Sequence, residues 1–249
     1  MGPLELTGLA LIGIAAGWLN VMAGGGSLLT LPTLLFFGIP APVANGTNRI
    51  GILLQSVAAV STFLRKGFSQ FRLSLSLAAA ASAGAVAGAS LGVNLTGVWF
   101  DRFLAGVLIV VMLLMATGKH EVGEDHAQPR TPERLLLGHL CMVGAGFWGG
   151  MIQIGVGFIL MPILHRVMGF DLVRVNMHKV FIVLVYTPVA LAVFTAHVEI
   201  LWTTGLVLAV GMMVGGWLGA HSTVRYGRVW IRRVLFVLLS VFIAKLLWP

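Results

Sequence analysis

Long apolar runs alternate with short polar or glycine-rich breaks along the 249-residue chain. The runs lack a period of two, as in Val107–Ala116 (VLIVVMLLMA), so they predict helices and not the strands of a barrel. A helix also pairs its backbone polar groups internally, which hydrocarbon requires. The apolar segments lie at residues 4–22, 27–38, 46–64, 73–96, 101–118, 135–152, 156–168, 178–196, 200–222 and 229–248.

Two of these segments, 27–38 and 156–168, are too short to cross a bilayer. A spanning helix needs about 20 residues, whereas these segments would be only about 18–20 Å long at 1.5 Å per residue. We therefore interpret them as re-entrant or half-helices. Each follows a glycine-containing break, GGG at Gly24–Gly26 and IGVG at Ile154–Gly157.

The composition places these helices in a membrane. Hydrophobic residues make up 58% of the chain and charged residues only 10%, whereas soluble domains carry about 25% charged residues. The first apolar run lacks the basic start of a cleavable signal, so we expect it to remain in the mature protein. The net charge of +8 lies mostly in short loops, a pattern that sets membrane orientation and does not predict nucleic-acid binding.

The basic loops orient the chain in the membrane. Clusters of Lys and Arg within 65–72 and 225–233 mark two cytoplasmic loops. Counting spans from these loops also places 119–134 and 165–177 inside, and both carry basic residues. The same count predicts that both termini lie outside.

The chain divides at the polar linker 119–134, which contains half of all the acidic residues. We predict a first repeat at 1–118 and a second at 135–249, each with a broken hairpin and three transmembrane helices. Because three is odd, the second repeat is inverted: hairpin 4–38 starts and ends outside, and hairpin 135–168 inside. The predicted fold class is an all-α polytopic membrane protein built from two inverted-topology repeats.

Matching motifs support the duplication. GGGSLLTLP at Gly24–Pro32 is matched by IGVGFILMP at Ile154–Pro162. Further matches are Asn45 with Asn176, Asn48 with Lys179, and Gly84, Gly88 and Gly92 with Gly211, Gly215 and Gly219. The glycine triplets favour close helix packing in lipid; the alternative is a surface for a second copy, which leaves a homodimer open. Inverted repeats are typical of secondary transporters, whose binding sites lie at the repeat interface.

The helix breaks predict an anion site. A helix that begins inside the bilayer presents unpaired N–H groups and the positive end of its dipole, and glycine lets a ligand approach the backbone. The alternative is that the glycines only permit a tight turn. The candidate substrate-binding residues are Asn20, Gly24, Gly25, Gly26, Ser27, Asn48, Arg49, Gln55, Gln153, Gly155, Gly157, Asn176, His178 and Lys179.

Arg49, Lys179 and His178 carry the candidate charges. The two cations lie on equivalent helices and could attract an anion from each side; the alternative is that they snorkel to the lipid interface. His178 is the titratable candidate for coupling, with a satisfied interfacial histidine as its alternative. The acidic residues lie at span ends or in the polar linker, and metalloprotease, nucleotide and serine-hydrolase motifs are missing. We therefore predict no enzyme activity, no cofactor and no metal site.

Two stretches carry a family resemblance. GWLNVMAGGGSLLTLPTLLFFGIPAPVANGTNRIG (Gly17–Gly51) resembles the TauE/SafE family of sulfite exporters, and GFWGGMIQIGVGFILMPILHRVMGFDLVRVNMHK (Gly146–Lys179) looks like its degenerate copy. The copy departs from the pattern, with IGVGF in place of three glycines. The resemblance implies a secondary transporter that exports sulfite or a related small organosulfur anion. An anion channel, or a transporter of another small solute or metal ion, remains the alternative.

Overall fold

A computed structural model describes residues 2–67, 70–116 and 132–222, and its regular elements there are all helical. The helices are α1 Pro3–Ala23, α2 Ser27–Phe36, α3 Ala41–Arg65, α4 Phe71–Gly92, α5 Gly97–Ala116, α6 Pro132–Met151, α7 Val156–Pro162, α8 Leu172–His197 and α9 Trp202–Ser222. The predicted segment 229–248 and most of the linker 119–134 lie outside the described residues.

The long helices have the dimensions of membrane spans. Four helices are long and apolar enough to cross a bilayer, at Pro3–Met22, Phe71–Gly92, Leu172–His197 and Trp202–Ser222. Helices α3, α5 and α6, with 25, 20 and 20 residues, also reach the necessary length. This is the architecture of a multi-pass membrane protein.

Helices α3 and α8 begin earlier than the apolar segments 46–64 and 178–196 predict. Pro42 lies in the first turn of α3, where proline is tolerated. Asp171 caps α8 by accepting a hydrogen bond from the Arg174 N–H at 2.9 Å. Polar residues in these first turns lower the local hydropathy, so the predicted segments started too late. The polar candidates on these two helices therefore all lie inside them: Asn48, Arg49, Gln55, Asn176, His178 and Lys179.

The predicted linker 119–134 also ends too late. Helix α6 begins at Pro132, because proline fits the first helical position and Glu133 places a negative charge in the first turn. The last residues of the linker are helical, although their composition is polar.

The two short helices are confirmed. Helix α2 starts after the glycine run, and α7 continues as a π-helical turn at Ile163–Val167. Gly24 and Gly155 have φ values of 77° and 67°, in the left-handed region that glycine adopts without a steric penalty. Each break is thus a backbone turn that glycine makes possible.

Helices α3 and α8 lie against each other, and the other extensive contacts join a helix of the first half to a helix of the second or α3 and α8 to their neighbours. Helix α1 packs along α9, α6 packs along α4, and α3 and α8 contact α9 and α4 respectively. The glycine triplets make these contacts: a Cβ on Gly88 would collide with the Phe147 carbonyl of α6, and one on Gly215 with the Ile14 carbonyl of α1. The glycines are therefore used for helix packing within one chain.

Replacing Gly215 tests this packing. In Gly215→Ala the new Cβ meets the backbone of α1 at Ile14 and at Trp18 N, 2.8 Å away, so α9 must move away from α1. We expect a loss of about 1–3 kcal/mol of stability, measured as a lower thermal midpoint in detergent. Gly144→Ala on α6 is the matched control, because a Cβ there meets nothing within 4 Å. Equal midpoints for the two variants would contradict the packing role.

Candidate functional site

The two helix breaks contact each other through their glycines. A Cβ added to Gly24 would collide with the backbone of Gly157, and a Cβ on Gly157 would collide with that of Gly24. A Cβ on Gly26 would collide with the Ala16 carbonyl. The Cβ positions of these three glycines are therefore filled by protein backbone, so each glycine is needed for close backbone packing.

Gly25 differs from its neighbours in the triplet. Its added Cβ would meet only side-chain atoms, 3.1 Å from Leu28 Cδ1 and 3.3 Å from Phe158 Cε2. Side-chain ends can shift where backbone cannot. Gly25 is thus the residue of the triplet that tolerates a change most easily.

Asn20 closes the first break and joins it to α3. Its Nδ2 donates to Gln55 Oε1 at 2.9 Å, and its Oδ1 accepts from the Gly26 N–H at 3.3 Å. Its carbonyl accepts from the Gly24 N–H at 2.8 Å. Two of the amides at the break therefore already have partners, which reduces the number available to a ligand.

Lys179 of α8 reaches the end of α1. Its Nζ donates to the Val21 carbonyl and to Asn176 Oδ1, both at 2.8 Å. Val21 lies in the last turn of α1, where carbonyls lack helical partners and the dipole favours a cation. No described carboxylate lies within ion-pair distance of this ammonium.

Arg49 of α3 performs the equivalent task at the end of α6. Its Nη1 donates to the Gly149 carbonyl at 3.0 Å, and its Nη2 donates to the Gly150 carbonyl and to Asn45 Oδ1. Asn45 Nδ2 donates to the Met151 carbonyl at 2.8 Å. The final carbonyls of α6 are thus satisfied by α3. With 0% and 2% of their surfaces exposed, Arg49 and Lys179 do not snorkel to the lipid interface.

Gln153 follows α6 in a strained backbone conformation. Its φ is 63°, the one positive value at a non-glycine residue in the described chain. Its Oε1 accepts from Tyr186 Oη at 3.0 Å and from Arg49 Nη1 at 3.5 Å. Gln153 and Tyr186 therefore join the second break to α8, as Asn20 and Gln55 join the first to α3.

A small cavity lies where the two breaks meet α3 and α8. It has a volume of about 10 Å³, roughly the room that one water molecule needs. Its lining residues are Asn20, Gly24, Gln55, Ser56, Val156, Gly157, Lys179, Val180 and Val183. The lining combines a cation, side-chain amides and a hydroxyl, and it contains no carboxylate.

Several buried polar atoms among the described residues lack hydrogen-bond partners. They are Thr30 Oγ1, both amide atoms of Asn48, Arg49 Nε, Ser56 Oγ and Thr187 Oγ1. Buried polar groups are normally paired, so unpaired ones indicate a ligand or water. Ser56 is the member of this group that also lines the cavity.

Comparison with known proteins decides the family. The family described as Sulfite exporter TauE/SafE matches residues 9–246 of this chain. The chain belongs to the sulfite exporter TauE/SafE family. The resemblance seen in the sequence is thereby confirmed.

Curated relatives are similar over nearly the whole chain. A protein of Haemophilus influenzae named "Probable membrane transporter protein" is 27% identical over 95% of this chain and 92% of its own length. YfcA of Escherichia coli K12, "Probable membrane transporter protein YfcA", is 26% identical over 100% of this chain and 91% of its own. No solved structure matches the chain. This TauE/SafE family member is a membrane transporter.

The cavity of this TauE/SafE protein collects part of the predicted site: Asn20, Gly24, Gln55, Gly157 and Lys179. The other candidates lie outside its lining: Gly25, Gly26, Ser27, Asn48, Arg49, Gln153, Gly155, Asn176 and His178. Ser27 is the first residue of α2, and Gly155 is the N-cap of α7. Asn176 and Gln153 act as hydrogen-bond acceptors for the buried cations.

His178 lies apart from this lining. Its Nδ1 is 2.8 Å from Ser74 Oγ, its Nε2 is 3.3 Å from Gln70 Oε1, and its ring packs on Phe170 with centroids 4.4 Å apart. The ring is fully buried with both nitrogens in hydrogen-bond contact. It is a satisfied histidine that lies buried within the protein.

Ser56 and Tyr186 are the site residues that the predicted set omits. A signal for both exists in the sequence: Gln55-Ser56 and Tyr186-Thr187 follow Asn45 and Asn176 at the same distance. Polar pairs at matched positions of two apolar helices indicate a shared internal site.

Proposed function

We propose that this protein is a secondary transporter that exports sulfite or a related small organosulfur anion across the bacterial cytoplasmic membrane. The anion binds near mid-membrane, between the two glycine-broken hairpins. The observation that carries this proposal is the cavity beside Gly24 and Gly157, which is lined by the Lys179 ammonium and neutral polar groups and by no carboxylate. An anion fits this lining, whereas a metal ion or another cation would be repelled by Lys179.

In this proposal the transporter is built from two repeats of inverted topology, at 1–118 and 135–249, which move relative to each other during transport. The helix contacts support this proposal. Helix α1 of the first half packs on α9 of the second, and α6 of the second half packs on α4 of the first. In each pair a glycine triplet of one helix contacts backbone carbonyls of the other. Binding sites of inverted-repeat transporters lie between the repeats. The orientation with both termini outside rests on the basic loops.

The cavity has room for about one water molecule. It is therefore too small for sulfite in this conformation. Transport therefore requires the two hairpins to separate, and the substrate enters an enlarged cavity from one side at a time. A cavity this small favours a transporter over an open anion channel. Catalysis is not proposed, because the lining holds no acid–base pair.

Flux into proteoliposomes tests the proposal. The panel is sulfite, sulfate, sulfoacetate, taurine and chloride, measured against empty vesicles. We expect saturable sulfite flux with competition from sulfoacetate. No anion flux above empty vesicles would overturn the proposal, and currents that rise without saturation would indicate a channel.

Gln55→Met should reduce sulfite flux about tenfold or more. The change keeps the volume of the side chain but removes the amide that lines the cavity and accepts from Asn20, and a polar site loses affinity when such a group is removed. Thr62→Val is the matched control, since this buried residue of α3 bonds only to the Ala58 carbonyl of its own helix. Equal flux in both variants would remove Gln55 from the site.

A further inference from the structure

We propose that the two halves of the site are not equivalent, and that the anion binds between the Lys179 ammonium and the Ser56 hydroxyl, while Arg49 is a structural clamp. The ligand class is a small oxyanion. This inference rests on the proposed anion transport and assigns the binding position within it.

Lys179 has a hydrogen-bond donor left for a ligand. An ammonium has three N–H donors, and the Val21 carbonyl and Asn176 Oδ1 accept two of them. The side chain also lines the cavity, with no described carboxylate in reach. A buried charge without an opposite charge is strongly unfavourable, so an anion in the cavity stabilises it.

Ser56 lines the same cavity, and its hydroxyl has no hydrogen-bond partner. Serine and threonine in helices commonly bond the carbonyl one turn earlier, as Thr33, Thr62 and Ser82 do here at 2.7–2.8 Å. Ser56 Oγ makes no such bond, although the residue is 0% exposed. Its hydroxyl can therefore donate to an anion without breaking any contact of the fold.

Arg49 has only one donor left, its Nε, and the residue lies outside the cavity lining. Its Nη1 and Nη2 are occupied by the Gly149 and Gly150 carbonyls and by Asn45, and Arg49 is not among the cavity residues. The residue that aligns with Lys179 in the first half is Asn48, which is neutral. The charge at the cavity thus comes from the second half alone.

Ligand-induced stabilisation of the purified protein tests this assignment. A ligand that binds the folded state raises the thermal midpoint, and the stabilisation grows with the logarithm of the ligand concentration divided by Kd. Sulfite is the probe, gluconate matches the ionic strength, and dimethyl sulfone is the uncharged analogue. We expect sulfite alone to raise the wild-type midpoint, Lys179→Met to weaken apparent affinity at least about tenfold, and Ser56→Ala about two- to tenfold.

Two control variants show whether the sulfite-induced shift depends on Lys179 and Ser56 specifically or on any lost charge or hydroxyl. Lys66→Met removes an exposed lysine whose Nζ contacts the Ala220 carbonyl at 3.3 Å, and Ser82→Ala removes a self-bonded helical hydroxyl; both should keep the full sulfite shift. If Lys179→Met does not fold, Ser56→Ala decides alone, because its hydroxyl supports no contact in the fold.

The failures of the two proposals are distinguishable. A wild type stabilised by sulfite together with an unchanged shift in Lys179→Met and Ser56→Ala overturns the binding position and leaves anion transport intact. A folded Arg49→Lys variant without any sulfite shift overturns the clamp. A wild type that sulfite does not stabilise, and that transports no anion of the panel, overturns the proposed function itself.

Discussion

Gly24→Ala is expected to destabilise the folded protein strongly. The new methyl group must occupy the position of the Gly157 backbone, and the residue must keep a φ of 77°. A left-handed conformation costs an alanine about 1–2 kcal/mol, and overpacking against backbone costs about 1–3 kcal/mol more. Together these effects remove a large part of a typical stability of about 5–15 kcal/mol. Size-exclusion profiles and thermal midpoints in detergent measure the result.

Gly25→Ala is the control for this substitution within the same triplet. Its Cβ meets the Leu28 and Phe158 side chains at 3.1 Å and 3.3 Å, so small side-chain shifts suffice. We expect it to yield folded protein with a midpoint close to that of the wild type. Gly157→Ala should also lower the midpoint, but through overpacking alone, because Gly157 contacts Gly24 while its own φ is not positive. Folded Gly24→Ala protein with an unchanged midpoint would show that the breaks do not depend on this contact.

The helix breaks could be predicted from sequence, but the contact between them could not. Glycine runs, short apolar segments and a following proline are local signals, and they located α2 and α7 correctly. The approach of Gly24 to Gly157 joins residues far apart in the chain, and no local signal encodes it. The same pattern of three glycines therefore supported a ligand interpretation, although two of these glycines face backbone.

The hydrogen-bond acceptors of the two buried cations also could not be predicted from local sequence. Their positions in apolar helices indicated that Arg49 and Lys179 act inside the protein, but not which acceptors they meet. Each break exposes carbonyls at the end of its first helix as well as amides at the start of the second. The cations bind the carbonyl ends, whereas the prediction of an anion site was based on the amides alone.

Arg49→Met is expected to destabilise the fold strongly, in contrast to the ligand-specific effect proposed for Lys179. The change removes the donors for the Gly149 and Gly150 carbonyls, and also the contact of the guanidinium with the Phe194 ring, 4.5 Å from its centroid. Hydrogen bonds from a charged group contribute about 1.5–3 kcal/mol each, and buried carbonyls left without donors add a penalty. We expect a loss of about 3–5 kcal/mol, seen as a lower thermal midpoint with and without sulfite.

Arg65→Met on the same helix is the matched control, because Arg65 is exposed at the end of α3. It should keep the wild-type midpoint, which separates the loss of a buried clamp from a general loss of positive charge. Arg49→Lys should fall between the two, since lysine keeps the charge but has fewer donors and no planar fork. If Arg49→Met keeps its midpoint and instead loses only the sulfite-induced shift, Arg49 binds the anion, and the two halves of the site share its charge.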